Sequence, residues 1–247
     1  MNNRFASRVF DPLSKEPFRI SRSKIELFKD CERCLYLNLR YGVNRPSTFP
    51  FTLNNAVDAL LKKEFDIHRA KGKAHPLMER YGIDAVPFDH PKMEEWRDAL
   101  RRGIRHHHLQ TNFIVSGGID DLWINPADEL IIVDYKATAK TSEVNIDADW
   151  QMSYKRQMEI YQWLFRQNEF KVSNIGYFVY ANGQKDKDAF DGVLEFDVQI
   201  IGYEGNDSWI PGVLGDIRSM LENDKLPEAS KDCEHCSYRE RAREVEK

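Results

Sequence analysis

FIVSGGIDDLWINPADELIIVDYKA, residues Phe113–Ala137, is the stretch that decides the fold of this chain. Two apolar runs, Phe113–Ile119 and Leu130–Val133, flank the polar loop NPAD, which predicts a pair of strands. Asp120 follows the first run and Asp134 follows the second. An acid within an apolar strand is costly to bury unless a partner compensates its charge. The stretch therefore predicts that two carboxylates lie close together and that a cation compensates their charge.

The pattern Asp134-Tyr135-Lys136 has a chemical logic. Residues two apart on a strand face the same side, so the carboxylate and the ammonium point to one place and Tyr135 points away. With Asp120 from the neighbouring strand, this is a set of hard oxygen ligands that suits Mg²⁺ or Mn²⁺. Such an ion activates water and stabilises charge on a phosphate, and a lysine can assist both. The alternative for so short a pattern is a structural Asp–Lys pair at a sheet edge.

Composition narrows the class of protein. The chain has 247 residues, 41% hydrophobic and 31% charged, which is typical of a globular protein. The net charge of −4 argues against a generally basic protein that coats nucleic acid, but not against a nucleic-acid enzyme with metal-binding carboxylates. No apolar run approaches the roughly 20 residues of a membrane helix, and the N-terminus lacks the apolar core of a signal peptide. We therefore expect a cytoplasmic protein that makes no membrane contact.

The order of predicted elements indicates a mixed α/β domain with a central sheet. We expect an N-terminal arm at 1–20 and a single domain at 21–247, made of a helical part (21–110), an αβ core (111–225) and a tail (226–247). A first helix is predicted from about 21 or 23 to 42, with a break near Cys31–Cys34, and further helices are predicted at 53–69, 92–108, 151–167 and 209–222. Further strands are predicted at 175–181 and 193–198. Loops or short turns are predicted at 72–91. The adjacent histidines at 106–108 point in different directions and are not expected to chelate one ion.

All four cysteines fall in two C-x-x-C pairs, Cys31 with Cys34 and Cys233 with Cys236. Disulfides are not expected in a chain without features of secretion. Four thiolates can form a tetrahedral site for zinc or bind an iron–sulfur cluster, and the residues alone leave both open. A bound metal would join the N-terminal helix to the C-terminal tail. Closing so long a loop would constrain the unfolded chain.

Three motifs follow one another in the chain: GGID ending at Asp120, DYK at Asp134–Lys136, and QMEIY at Gln157–Tyr161. This ordered set resembles the PD-(D/E)XK nuclease superfamily, and most closely its RecB-like branch, over roughly residues 23–238. The resemblance implies a restriction-endonuclease-like core with a central mixed sheet flanked by helices. It also implies a nuclease that hydrolyses phosphodiester bonds in DNA with Mg²⁺ or Mn²⁺.

The resemblance also implies roles for individual residues. Asp120, Asp134 and the carbonyl of Tyr135 would bind the metal ion, and Lys136 would be the catalytic lysine. Gln157 and Tyr161 would hold the region of the lysine and the DNA backbone.

The branch has an upstream helix in which a histidine usually completes the metal site. In this chain Asp58 stands at that place. It could bind a hard cation equally well, and a surface or packing role is the alternative. Glu64 is a weaker candidate for the same ligand.

Cysteines that flank the core resemble the iron–sulfur nucleases of this branch, which include the AddB-type helicase–nuclease subunit and the CRISPR-adaptation exonuclease. Those proteins place one cysteine before the core and three after it, whereas this chain has two and two. Cys31, Cys233 and Cys236 match family positions, and Cys34 could replace the missing third late cysteine. The resemblance favours a [4Fe–4S] cluster, with zinc as the alternative.

The resulting functional prediction is an exonuclease that acts on single-stranded DNA or free ends in DNA repair, recombination or CRISPR adaptation. The chain has no P-loop, so any unwinding would need a helicase or another subunit of a nuclease complex. The alternative is a catalytically inactive, nuclease-like subunit for DNA binding or assembly with a structural zinc or iron–sulfur site. The missing histidine is the reason to keep that alternative.

Overall fold

The computed structural model describes residues 9–47 and 51–246, which form two compact units. The first unit contains residues 9–47, 107–116 and 208–246. The second unit contains residues 51–106 and 117–207. The organisation of 21–247 as a single domain stays a prediction.

The described chain begins with a short strand and a run of helices, continues with a run of strands, and ends with two helices. The helices are α1 (Arg22–Asp30), α2 (Glu32–Tyr41), α3 (Thr52–Arg69), α4 (Pro76–Arg80), α5 (Met93–Arg97), α6 (Met152–Gln167), α7 (Ile210–Glu222) and α8 (Glu234–Val245). The strands are β1 (Phe18–Ser21), β2 (Val86–Pro87), β3 (Ile104–His108), β4 (Phe113–Gly117), β5 (Asp121–Ile124), β6 (Leu130–Thr138), β7 (Ile175–Gly183) and β8 (Phe196–Glu204). Within the described ranges, no helix has both the length and the apolar character needed to cross a bilayer.

The second unit is built on a five-stranded sheet with the order β2-β5-β6-β7-β8. Strands β6 and β7 run parallel, and the other neighbouring pairs run antiparallel. The parallel pair needs a long crossover, which α6 provides. Helix α3 packs Leu61 and Phe65 in one apolar cluster with Trp123, Val133 and Tyr135 of the sheet. The prediction of a mixed α/β fold with a central mixed sheet flanked by helices is therefore confirmed.

Strand β6 is buried along most of its length, which explains why its sequence LIIVDY does not alternate. Strands covered on both faces read as continuous apolar runs. Only its last three residues, from Lys136 to Thr138, become partly exposed. The D-x-K motif thus lies where a buried strand emerges at the edge of the core.

A smaller sheet has the order β1-β4-β3, and the first unit holds the cysteines, β1 and residues 113–116 of β4. Strand β1 pairs in parallel with β4, Phe18 opposite Phe113. The rings of Phe10, Phe18 and Phe113 pack edge to face, with two of the centroid distances at 5.2 and 6.3 Å. The predicted arm at 1–20 therefore contains part of a strand and core residues, which its irregular pattern did not indicate. Its first eight residues lie outside the described ranges.

The predicted pairing of 113–119 with 130–133 is wrong. Strand β4 ends at Gly117 and belongs to the small sheet, and the separate strand β5 pairs with β6 instead. Two consecutive glycines, Gly117 and Gly118, interrupt the apolar run and allow the chain to leave one sheet for the other. Asp120 lies in the bend directly before β5.

The predicted helix at 92–108 is also wrong beyond its first turns. Helix α5 ends at Arg97, and Gly103 adopts a left-handed φ of +67°. A methyl group at Gly103 would lie 2.3 Å from the carbonyl oxygen of Gly117. This conformation turns the chain into β3, where the three histidines alternate in direction as strand residues do.

The remaining predicted limits of helices and strands agree with the structure to different degrees. Helices α3, α6 and α7 lie within one residue of their predicted limits, and the helix break falls at Cys31 as expected. Residues 72–91 contain α4 and β2 in addition to turns. The last strand was predicted too early: β8 begins at Phe196 and continues to Glu204.

Candidate active site and cysteine cluster

A cleft of about 310 Å³ opens in the second unit where α3, β6 and α6 meet. Its lining includes four residues that the sequence analysis singled out, Asp58, Asp120, Tyr135 and Lys136. The remaining residues that line it are Asn54, Asn55, Val57, Leu61, Ala137 and Tyr154.

Asp120 is fixed at the cleft by two backbone contacts. Its Oδ2 accepts a hydrogen bond of 2.9 Å from the backbone N–H of Tyr135. Its carbonyl oxygen accepts one of 3.1 Å from Nε of Arg97. The β5–β6 register places Asp121 opposite Val133, so Asp120, one residue earlier, lies beside Asp134 of the D-x-K motif. Asp120 therefore approaches the motif from the bend before β5, not from the strand that was predicted to carry it.

Asp134 and Lys136 form an ion pair on β6, as their two-residue spacing predicts. Asp134 is 1% exposed, and its Oδ1 accepts a hydrogen bond of 2.7 Å from Nε2 of Gln157. Burial alone would lower the pKa of Lys136, but the carboxylates of Asp134 and Asp120 outweigh it and raise that pKa above its usual value. Lys136 therefore lines the cleft as a charged ammonium that is fixed by its ion pair with Asp134.

Gln157 and Tyr161 share one face of α6, one turn apart. Nε2 of Gln157 also donates to the Tyr161 hydroxyl at 3.3 Å. Tyr161 is buried, and its ring lies so close to β4 that a methyl group at Gly117 would be 2.6 Å from it. Gly117 of the GGID motif thus packs directly against Tyr161 of the QMEIY motif, and the absence of a side chain at Gly117 makes room for the ring.

Asp58 lies on α3 and lines the cleft, whereas Glu64 does not. Glu64 contacts Nε2 of His75 at 2.8 Å and lines a different pocket. Burial and the nearby Asp120 raise the pKa of Asp58 above its usual value. Of the two acids proposed for the histidine position, only Asp58 is placed beside Asp120.

Lys62 lies beside the cleft, and its sequence context suggested a basic groove for phosphate rather than the contacts with acids that it makes. Its Nζ lies 2.8 Å from Oδ2 of Asp58 and 3.2 Å from Oδ1 of Asp120. The signal was available, because Lys62 follows Asp58 by one helical turn and such pairs meet on a helix face. The ammonium stands between two carboxylates, which is where a cation bound by both would lie.

Asp121 is a residue that sequence reasoning missed, and it lies beneath the site. It is fully buried and accepts hydrogen bonds from both Arg69 and Arg97, the latter at 3.2 Å. The Tyr135 hydroxyl donates to its other oxygen at 2.7 Å. Burial, and then the charge of Asp121, raise the pKa of Tyr135 well above its usual value. This network anchors the side chain of Tyr135, whose backbone N–H binds Asp120.

The donor set at the cleft fits a hard divalent cation. Three carboxylates and the backbone of Tyr135 are oxygen ligands of the kind that Mg²⁺ and Mn²⁺ prefer. Two lysines form ion pairs with those three carboxylates, and Lys62 places positive charge between Asp58 and Asp120.

The four cysteines gather in the first unit. Each pair has one cysteine directly before a helix and one inside it, Cys31 and Cys34 at α2 and Cys233 and Cys236 at α8. All four are buried, and their sulfurs all lie within 4.8 Å of one another. Three of the Sγ–Sγ distances are 3.6, 3.6 and 3.9 Å. Nη2 of Arg45 lies 3.4 Å from the sulfur of Cys233.

Comparison with known proteins identifies the family of this chain. The sequence matches the PD-(D/E)XK nuclease superfamily over residues 19–241. A search of curated proteins found no match. Among solved structures the chain is similar to that of SSO0001, with 14% identity, a TM-score of 0.37, and coverage of 87% of this chain and 81% of the other. Because the family match spans most of its length, the chain belongs to the PD-(D/E)XK nuclease superfamily.

Proposed function

We propose that the protein is a metal-dependent deoxyribonuclease whose chemistry takes place in the cleft of the second unit. Membership of the superfamily implies a nuclease that uses a divalent metal ion. The observation that carries the proposal is the arrangement of Asp120 and the Asp134–Lys136 pair, held by the backbone of Tyr135 and by Gln157. Mg²⁺ and Mn²⁺ are the proposed ions.

In this proposal Asp58, Asp120, Asp134 and the Tyr135 carbonyl hold the ion. When bound, the ion would polarise a phosphodiester and make water more nucleophilic. Lys136 would hold the attacking water or neutralise negative charge that builds on the phosphate.

Gln157 would keep the Asp134 carboxylate oriented through its hydrogen bond of 2.7 Å. Tyr161 would support Gln157 from inside the core, since it is 4% exposed and accepts a hydrogen bond from that side chain. Both would act as positioning residues in the proposed reaction.

Cleavage of labelled linear DNA with Mn²⁺ tests the proposal. We expect cleavage by the wild type and its loss in Asp134→Asn, which keeps the shape of the side chain and removes its charge. Asp128→Asn is the matched control, because Asp128 lies exposed in the turn between β5 and β6. Equal cleavage by wild type and Asp134→Asn would refute the assignment of this cleft. Tight DNA binding without any cleavage would favour the inactive DNA-binding subunit.

For the cysteine cluster we propose a single tetrahedral ion, zinc, rather than the [4Fe–4S] cluster that the family resemblance favours. Bonds of ~2.3 Å to one tetrahedral zinc place neighbouring sulfurs about 3.8 Å apart. Three of the six sulfur pairs lie 3.6 to 3.9 Å apart and all lie within 4.8 Å, which supports that arrangement. A [4Fe–4S] cluster binds each thiolate to a different iron atom and so spreads the four sulfurs farther apart.

Anaerobic purification followed by metal analysis and an absorption spectrum decides between the two. We expect about one zinc per chain and, after exchange with Co²⁺, the visible bands of a tetrahedral thiolate complex. Stoichiometric iron with broad absorption in the visible range would instead establish the iron–sulfur cluster.

Finer aspects of function stay predictions from the resemblance. These are an exonuclease mode, a preference for single strands or free ends, a cytoplasmic location, a helicase or nuclease-complex partner, and a role in repair, recombination or CRISPR adaptation.

A further inference from the structure

An exposed aromatic pair lies at the edge of the candidate active site. Trp150 is 57% exposed, the most exposed of the five tryptophans. Its ring contacts Tyr154 edge to face at 5.4 Å, and Tyr154 lines the cleft. The Tyr154 ring in turn lies 4.5 Å from Nζ of Lys136. A continuous path of aromatic rings thus leads from the solvent to the proposed catalytic lysine.

A second lysine, Lys140, lies beside the ring of Trp150. Nζ of Lys140 lies 5.4 Å from the centre of the Trp150 ring. Aromatic faces beside cations are the combination that binds single-stranded nucleic acid, because bases stack on the rings and phosphates pair with the cations. Either element alone would be ordinary surface, since isolated exposed aromatics are common.

Hydrogen bonds fix the backbone near both Lys140 and Trp150. The backbone N–H of Lys140 donates to Oδ1 of Asn182 at 2.8 Å, and Nδ2 of Asn182 donates back to the Lys140 carbonyl at 3.0 Å. Gln151, which is fully buried, accepts from the N–H of Ala148 at 3.0 Å and donates to the carbonyl of Asn145 at 2.6 Å. The segment before Trp150 and the loop of Lys140 are therefore positioned without any ligand. A preorganised surface loses less entropy when a ligand binds.

We propose that Trp150 and Tyr154 form a stacking platform for unpaired bases of single-stranded DNA, with Lys140 binding a neighbouring phosphate. The platform names the substrate class of the cleft and so rests on the proposed nuclease function. Duplex DNA would bind it only weakly, because the faces of its bases are already stacked inside the helix. A single strand that stacks on Trp150 would direct its next phosphate toward Tyr154 and Lys136.

Binding to oligodeoxythymidylate of about ten nucleotides tests the platform in buffer without added divalent ions. An oligonucleotide of the same length with abasic positions has the same phosphates but offers no bases to stack. We expect Trp150→Ala to weaken binding of the thymidylate oligonucleotide by about fivefold to a hundredfold, the range measured for loss of one base–aromatic stack. Phe190→Ala, which removes another exposed ring, is the control and should bind like the wild type.

The tryptophan fluorescence of the wild type gives a second readout that does not depend on any variant folding. The thymidylate oligonucleotide should quench it, and the abasic oligonucleotide should bind weakly and leave it nearly unchanged. Equal affinity of wild type and Trp150→Ala, or equal affinity for the two oligonucleotides, would overturn the platform. Cleavage with Mn²⁺ is measured separately, so absence of cleavage would refute the nuclease proposal while a base-dependent affinity would still support the platform.

Discussion

The carboxylate cleft and the cysteine cluster both gather ligands that metal ions bind, yet they are built in opposite ways. The cleft mixes acids with lysines, and Asp58, Asp120 and Lys62 stay 22 to 34% exposed in their side chains. The cluster consists of four buried thiols that surround one point. Structural metal sites are closed by four protein ligands, whereas catalytic sites keep positions open for water and substrate.

The difference concerns charge as much as access. Lys62 and Lys136 offset two of the three negative charges of Asp58, Asp120 and Asp134, so the second unit depends less on a metal ion for its balance of charge. Four thiolates in the first unit would carry four negative charges, which a metal ion and the nearby Arg45 would offset. We therefore expect a metal ion to stabilise the first unit and to serve the chemistry of the second.

The strongest test of this comparison is Cys34→Ser. Structural zinc sites contribute about 10–16 kcal/mol of binding free energy, much of which is free energy of folding. Loss of one thiolate should release the ion and lower the melting temperature by about 10 °C or more. Metal analysis and hydrogen exchange of α1, α2 and α8 measure the effect. Glu234→Gln, at an exposed position between Cys233 and Cys236, is the control. If Cys34→Ser melts with the wild type and keeps its ion, the cluster is not structural.

The second test is Lys136→Met in the cleft. If Lys136 stabilises charge on the phosphate, cleavage should fall about 10³-fold, as for the loss of one preorganised donor. The melting temperature should also fall, because the buried Asp134 keeps its hydrogen bond from Gln157 but loses its cationic partner. Single-turnover cleavage with Mn²⁺ and thermal unfolding give the two numbers. Lys171→Met, at an exposed lysine, is the control. Cleavage within about threefold of the wild type would exclude a catalytic role.

How well each site could be predicted depends on how far apart in the sequence its contacting residues are. The Asp134–Lys136 pair depends on two-residue spacing along one strand. The two C-x-x-C pairs were recognisable because C-x-x-C spacing is that of metal ligands. Local spacing was sufficient for these two predictions, whereas Asp58 was singled out by the family resemblance.

The supporting network could not be predicted in the same way. Sequence does not distinguish Asp120, which faces the cleft, from Asp121, which is fully buried. That distinction depends on Arg69 and Arg97, which come from two helices and converge on Asp121 only in the fold. The switch of the chain between sheets at Gly117 was likewise hidden, because the apolar run continues across it to Ile119.

The third test uses this neighbouring pair of acids to sharpen the comparison. Asp121→Asn keeps the shape of the side chain but leaves two buried arginines with less negative charge. Breaking such a buried pair costs about 3–5 kcal/mol when one partner is removed, and we expect about 3 kcal/mol for this milder change. Denaturant unfolding measures it, with Asp128→Asn as the exposed control. A change below about 0.5 kcal/mol would show that the network does not support the site.

If Asp121 acts through Tyr135, its substitution should also reduce the affinity for Mn²⁺ by displacing Asp120. The conservative change Asp121→Glu should not restore the affinity, because the longer side chain does not fit a fully buried position. Wild-type Mn²⁺ affinity in Asp121→Asn would limit the role of this residue to stability.

The smallest expected effect concerns Lys62, which stands between Asp58 and Asp120 where a cation would bind. A partly exposed ion pair contributes up to about 1 kcal/mol, so removing this competitor in Lys62→Met should raise Mn²⁺ affinity by about fivefold. Titration calorimetry measures it, and Lys63→Met, at the exposed neighbouring position, should leave it unchanged. The gain should vanish in Lys62→Met combined with Asp58→Asn, because Asp58 then no longer contributes its charge. Unchanged or weaker Mn²⁺ binding in Lys62→Met would mean that the lysine does not occupy the position of the ion. The two acids would then be a structural pair with Lys62, and the contrast between an open cleft and a closed cluster would rest on Asp134 alone.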